Sequence, residues 1–209
     1  MSAEIPNEAP MISRDRREAG RLLAEGLSGY REEEPVVLAL PRGGVVVACE
    51  VARALHAPLV VARKLGAPAQ PERAVGAIAP GGIRVLDEEI LPWLDIPEDE
   101  LEQIAARETR ETDPKGKTVI LVDDGIATGM TVRAAIEHVR RQEPGCLVLA
   151  VPVCATRTAE ALRPEVDELI SLKTPSELWA IGYWYEDFGR VSDEEVVELL
   201  ERHRGAGAR

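Results

Sequence analysis

Asp123 and Asp124 follow four apolar residues, Val119–Val122, and precede the turn Gly125–Gly129. Two adjacent acids repel one another, and the repulsion is relieved when they bind a cation or accept from hydroxyls. A pair of ribose hydroxyls needs such acceptors. The turn, Gly125-Ile-Ala-Thr-Gly129, runs straight into a helix-forming stretch beginning at Met130. Its backbone N–H groups and the positive dipole end of that helix suit a phosphate. Thr128 and Thr131 add hydroxyl donors, and Gly129 allows close backbone approach. Taken singly, each feature also suits a strand that ends in a plain polar turn. As one thirteen-residue run, Val119–Thr131, they describe a site for a phosphorylated ribose.

Three other groups could join such a site. Pro41-Arg-Gly-Gly44 is a turn after the apolar run Val36–Leu40. Arg63, Lys64, Arg73 and Arg84 form a local basic stretch within a segment rich in Gly, Pro and Ala. Five of the seven aromatic residues, Trp179, Tyr183, Trp184, Tyr185 and Phe188, fall within ten positions. A base can stack on such rings, although they equally suit a compact core beneath the last helix.

The elements that must position these residues alternate along the chain. Ser13 is placed to cap a helix through about Ser28, with Ala19, Leu22, Leu23, Leu27 and Tyr30 on one side and Gly29 at its end. Val36–Leu40 reads as a strand buried on both faces. Val46–Leu55 has helical potential, weakened at its start by the β-branched Val45–Val47. Leu59–Arg63 is a second strand, and residues 64–82 form a long loop with a strand pair around Ala74–Ile78 and Ile83–Leu86. Pro97 and the acids after it start a helix that runs to about Glu111. Thr118–Val122 is a strand followed by a helix over Met130–Gln142. Cys146–Val151 is a strand, Ala155–Leu162 a short helix, and Val166–Ser171 a strand. Ser192-Asp-Glu-Glu195 is a capping box for a helix through about His203. This alternation predicts one α/β domain over 13–209, doubly wound, with a mainly parallel sheet and helices on both faces. Residues 1–12 read as a loose arm.

Composition narrows the partners. With 209 residues the chain suits one domain whose core needs no disulfide or metal staple. The formal charge of −12 disfavours non-specific nucleic-acid binding, so no nucleic-acid partner is expected. Three cysteines without CxxC spacing and three scattered histidines argue against a disulfide scaffold or a zinc site. No run reaches the roughly 18 apolar residues of a membrane span, and Met1–Pro10 lacks the parts of a signal peptide. A cytoplasmic protein without a membrane partner is expected.

The run Val119–Thr131 resembles the signature of the type I phosphoribosyltransferases: an apolar strand, two acids, then a Thr-Gly-x-Thr loop. By that resemblance Asp123 and Asp124 bind the ribose hydroxyls of phosphoribosyl pyrophosphate, and Ala127, Thr128, Gly129, Met130 and Thr131 hold its 5′-phosphate beside Gly125. Pro41, Arg42, Gly43 and Gly44 correspond to the family's pyrophosphate loop, where a cis peptide is expected at Arg42–Gly43 or its neighbour. Residues 64–82 resemble its flexible closing loop, with Arg63, Lys64 and Arg73 placed to neutralise pyrophosphate. A small hood over about 171–190 would hold the base, with Trp179, Tyr183 and Trp184 as candidates. The chain is most similar to bacterial stand-alone members whose acceptor is not obvious. It shares with them Asp15–Arg21, Arg63–Gly66 and Trp184–Phe188. The 6-oxopurine enzymes carry an Asp where this chain has Ala127, so transfer to hypoxanthine or guanine by that route is not expected.

The implied reaction displaces pyrophosphate from C1 with a nitrogen nucleophile. Mg²⁺ is the implied cofactor, held mainly by substrate and water rather than by a protein metal site. Asp123, Asp124, Arg42 and Lys64 are the implied catalytic group. The alternative is a regulator that senses phosphoribosyl pyrophosphate or a nucleotide without turning it over. A homodimer is implied by resemblance alone.

Overall fold

The computed structural model describes residues 12–61, 77–79, 83–85 and 114–207. Among them are helices α1 (Arg16–Gly26), α2 (Gly43–Leu55), α3 (Met130–Arg140), α4 (Thr156–Leu162) and α5 (Asp193–Gly207). The strands are β1 (Val36–Ala39), β2 (Leu59–Val61), β3 (Ala77–Ala79), β4 (Ile83–Val85), β5 (Thr118–Val122), β6 (Cys146–Val153) and β7 (Glu168–Lys173). They form one sheet in the order β3-β4-β2-β1-β5-β6-β7. Every described pairing is parallel except that of β3 with β4. Arg63, Lys64, Arg73 and the helix expected over 97–111 lie outside the described residues.

The central strands β1 and β5 are apolar except for Thr118, because both sheet faces are covered. Val37, Ala39, Ile120, Val122, Val148 and Ala150 pack with α1, α2 and α5 on one face. Val36, Leu38, Val119, Leu121, Leu147 and Leu149 pack with α3 and α4 on the other. The alternation follows from the two-residue repeat of a strand. The result is the doubly wound α/β architecture expected from the alternating elements.

Several local expectations change. Asp15, not Ser13, caps α1: its side chain accepts from the Glu18 N–H at 2.8 Å. Ser13 is instead buried in an extended segment bridged to Tyr185, and its hydroxyl donates to the Asp15 carbonyl. The helix stops at Gly26, and the chain continues as a short 3₁₀ turn over Ser28–Glu33. Helix α2 begins at Gly43, three residues before Val46, because Val45–Val47 are buried and tertiary packing outweighs their low propensity. Strand β7 starts two residues later than expected, since a 3₁₀ turn at Arg163–Glu165 extends the connection from α4. Ser192 caps α5 as expected, accepting from the Glu195 N–H at 3.2 Å.

The register positions the site. Strands β1 and β5 pair from Val36↔Val119 to Ala39↔Val122, and the Leu40 N–H donates to the Val122 carbonyl at 2.9 Å. The turn after β1 therefore lies beside the acids after β5. From β1 the sheet continues to β2 on one side and to β5 on the other, so this point is the topological switch where open α/β sheets bind ligands.

Candidate active site at the β1–β5 switch point

Asp123 and Asp124 leave β5 at its carboxyl end, and Asp123 Oδ1 accepts from the Asp124 N–H at 2.8 Å. Burial, reinforced by the neighbouring Asp124 carboxylate, pushes the Asp123 carboxyl well above the ordinary range. Arg16 opposes that shift from α1. Its Nε donates to Asp124 Oδ2 at 2.7 Å, and only 11% of the Arg16 side chain and 14% of the Asp124 side chain are exposed.

The two glycines after Arg42 are explained by these acids. A Cβ at Gly43 would stand 1.8 Å from Asp124 Oδ2. One at Gly44 would stand 2.9 Å from the Asp123 Cα and 3.0 Å from the Val122 carbonyl oxygen. No other residue type leaves room for the carboxylates, and the amino-terminal end of α2 abuts both of them. The dipole there favours negative charge. The Pro41–Arg42 peptide is cis, one position before Arg42–Gly43. The Arg42 side chain points to the start of α5, where Nε meets Asp193 Oδ1 at 2.7 Å.

On the other side of the acids the turn leads into α3. Gly129 is its N-cap residue with φ of 75°, the left-handed region that favours glycine. Thr158 of α4 supports the turn, donating from Oγ1 to the Ala127 carbonyl at 2.6 Å. The Ile126 N–H donates to the Val153 carbonyl at 2.8 Å, so the turn is tied to the end of β6. Thr128, Met130 and Thr131 are exposed at the first turn of α3, whose N–H groups have no partner within the helix. That combination suits an anion.

The C-terminal segment closes over Gly125. A Cβ on Gly125 would stand 2.5 Å from Ile181 Cγ2, which places the 3₁₀ turn Ile181–Trp184 directly on the acidic loop. Trp179 and Tyr183 are exposed, while Trp184 is half-buried and its carbonyl accepts from the Ile12 N–H. Tyr185 is buried and donates from its hydroxyl to the Asp124 carbonyl at 2.6 Å. Burial next to Asp124 raises its phenol. Phe188 stacks on Tyr185 at 5.0 Å between centroids, and the Arg16 guanidinium lies 3.7 Å from the Phe188 centroid.

The structure thus brings together Pro41–Gly44, Asp123, Asp124 and the Gly125–Thr131 loop. Sequence reasoning missed Arg16, Thr158 and the contacts that Tyr185 and Phe188 make. Their signals were present but incomplete: Arg16 stands in the Asp15–Arg21 run, and Tyr185 and Phe188 in the aromatic tail.

Comparison with known proteins shows the family. Residues 13–187 match the phosphoribosyl transferase domain model. Two Mycobacterium tuberculosis proteins, named "Putative phosphoribosyl transferase MT0597" and "Putative phosphoribosyl transferase Rv0571c", are each 42% identical over 207 residues. Those matches cover 91% of this chain and 47% of each relative, so the chain spans about half the length of the curated relatives it matches. The crystal structure of TT1426 from Thermus thermophilus superimposes with a TM-score of 0.64 at 43% identity, covering 90% of this chain and 97% of that one. A domain match over most of the chain, with relatives 42–43% identical across about nine-tenths of it, makes this protein a member of the phosphoribosyl transferase domain family.

Proposed function

We propose that the chain transfers the 5-phosphoribosyl group from phosphoribosyl pyrophosphate to a nitrogenous base. The C1–O bond to pyrophosphate breaks as a C1–N bond forms. One observation carries this reading: two adjacent carboxylates at the end of β5 lie between the glycines that begin α2 and the anion-suited turn before α3. Each carboxylate has one oxygen held by the protein, Asp123 Oδ1 by the Asp124 N–H and Asp124 Oδ2 by Arg16. Beyond these, the two carboxyl groups share a side-chain hydrogen bond with each other, and no other donor to either is seen among the described residues. Two vicinal hydroxyls would supply the missing donors.

In this reading Gly125 and Ala127–Thr131 hold the 5′-phosphate, and Pro41–Gly44 face the pyrophosphate. Arg42 is half-exposed in its pair with Asp193, so exchanging that partner for pyrophosphate costs little. Arg63, Lys64 and Arg73 would add charge to the leaving group, and Trp179, Tyr183 and Trp184 would face the acceptor. Mg²⁺ on the pyrophosphate would neutralise charge that develops there. Such an ion would be carried by phosphate oxygens and water, as Mg²⁺ prefers, with Asp123 and Asp124 beside the ribose. The remaining work falls to positioning and fixed electrostatics.

The decisive experiment is Mg²⁺-dependent pyrophosphate release from phosphoribosyl pyrophosphate across purine, pyrimidine and pyridine bases. Release with one base identifies the acceptor. Tight binding of phosphoribosyl pyrophosphate without release from any base would replace the transferase reading with a sensing one. Absence of binding would sink both.

A further inference from the structure

Arg16 is 108 residues from Asp124 in the chain, yet its side chain ends in the acidic turn. It is held there by three contacts of different kinds. Nε donates to Asp124 Oδ2 at 2.7 Å, and Nη1 donates to the Gly189 carbonyl at 2.8 Å. The guanidinium plane covers the Phe188 ring. Phe188 in turn stacks on Tyr185, and Tyr185 donates back to the Asp124 carbonyl. Arg16, Asp124, Tyr185 and Phe188 therefore form a closed circuit linking the first helix, the acidic turn and the C-terminal segment. Gly43 closes the remaining side: a Cβ there would stand 3.0 Å from Arg16 Nε as well as 1.8 Å from Asp124 Oδ2.

We infer that Arg16 is a positioning residue for the phosphoribosyl site, holding one oxygen of Asp124 so that the other is presented to a ribose hydroxyl. The inference rests on the phosphoribosyl reading above. Arginine suits the task because its planar fork carries several donors in fixed directions and stacks on an aromatic ring. A lysine ammonium could reach Asp124 or Gly189 but would lose the planar stack. The circuit also prevents Arg16 from swinging aside, so its effect on Asp124 is a fixed orientation and a fixed charge.

The charge supplies a signature that a merely structural residue would lack. The groups facing the acid pair are Arg16 from α1 and the Tyr185 hydroxyl from the C-terminal segment, while α2 presents only Gly43 and Gly44. Arg16 is the cation in that set, and it favours the ionised form of Asp123. Removing it should make Asp123 retain its proton to higher pH, which weakens hydroxyl binding as pH falls.

The test is calorimetric titration with phosphoribosyl pyrophosphate and Mg²⁺ across roughly pH 5 to 8. The proteins are wild type, Arg16→Gln, Arg16→Lys, Phe188→Leu and Arg17→Ala, each checked by thermal unfolding. Arg16→Gln is expected to weaken binding by at least about tenfold, and Arg16→Lys by less. The pH below which affinity declines should move upward in Arg16→Gln and stay near the wild-type value in Arg16→Lys. Phe188→Leu keeps the ion pair and should weaken binding about threefold without moving that pH. Arg17, paired distantly with Glu195, serves as the neighbouring control and should leave affinity within about twofold. Should Arg16→Gln fail to fold, Arg16→Lys and Phe188→Leu decide, and wild-type affinity in both overturns the inference. Unchanged affinity and pH dependence in folded Arg16→Gln overturn the positioning role alone. A wild-type protein that does not bind phosphoribosyl pyrophosphate overturns the role and the proposed function together.

Discussion

Helices α1 and α2 touch so closely that a Cβ on Gly20 would stand 2.6 Å from the Val47 carbonyl oxygen. They border a cluster of buried charge at each end, and the two clusters are balanced in opposite ways. At the amino-terminal ends, Asp123 and Asp124 share one arginine, Arg16. Towards the carboxyl-terminal ends, the buried Glu50 has two, with Arg21 Nε at 3.4 Å and Arg53 Nη1 at 2.9 Å. A surplus of half-exposed arginine around one acid is solvated at little cost. A surplus of acid at a sheet end, in a chain of net charge −12, is a standing cost to the unliganded protein. The difference is between an acid whose charge is compensated by its neighbours and a pair whose charge is not.

The largest expected effect breaks the comparison at its acidic end. Asp124→Asn should keep the fold, because the amide oxygen still accepts from Arg16, and should weaken phosphoribosyl pyrophosphate binding by about 1.4–2.8 kcal/mol, roughly 10- to 100-fold. Calorimetric titration measures it, and wild-type affinity in a folded variant would remove Asp124 from the site. Glu50→Gln is the counterpart at the other end. It should lower stability by about 1–2 kcal/mol, a Tm decrease of roughly 2–8 °C, and leave ligand affinity unchanged. A loss of affinity without a loss of stability would show that the two ends do not divide in this way.

Asp123→Asn sharpens the contrast through pH. Its native carboxyl is raised by burial and by Asp124, so the contribution to stability is fully present below the unfolded value near about pH 4 and is lost as pH rises through the native value. The variant should therefore melt above wild type at mildly alkaline pH, with the difference vanishing in acid. Thermal melts across that range would refute the cost argument if wild type were the more stable protein at high pH. The smallest effect belongs to Arg21→Ala. Its longer contact and 58% exposed side chain predict a loss under about 0.5 kcal/mol, within the scatter of surface ion pairs.

How much of this was legible in the sequence depended on how local the determinant was. The run Val119–Thr131 could be read because strand, acids, turn and helix start follow one another in the chain, and the sheet places them as their order implies. The glycines at 43 and 44 were legible as a turn but not as a clearance for two carboxylates, since that depends on the β1–β5 register. Ser13 looked like a helix cap because its residue type is suitable. It is occupied elsewhere, in the bridge to Tyr185, and Asp15 takes the role. Arg42 reads as a site cation from its loop, and its half-exposed side chain also pairs with Asp193 from the far end of the chain, a partner that local spacing could not show.

By itself the sequence determined the alternating elements, the two-faced apolar strands and the acidic turn, because periodicity and turn chemistry act between neighbours in the chain. Only the tertiary structure decided which cation meets Asp124, which helix end abuts the acids, and that the segments at Ile12–Arg14 and Trp184–Asp187 pair beside the acids. Those choices follow from sheet order and register, which bring distant side chains within hydrogen-bonding range and leave no trace in local spacing.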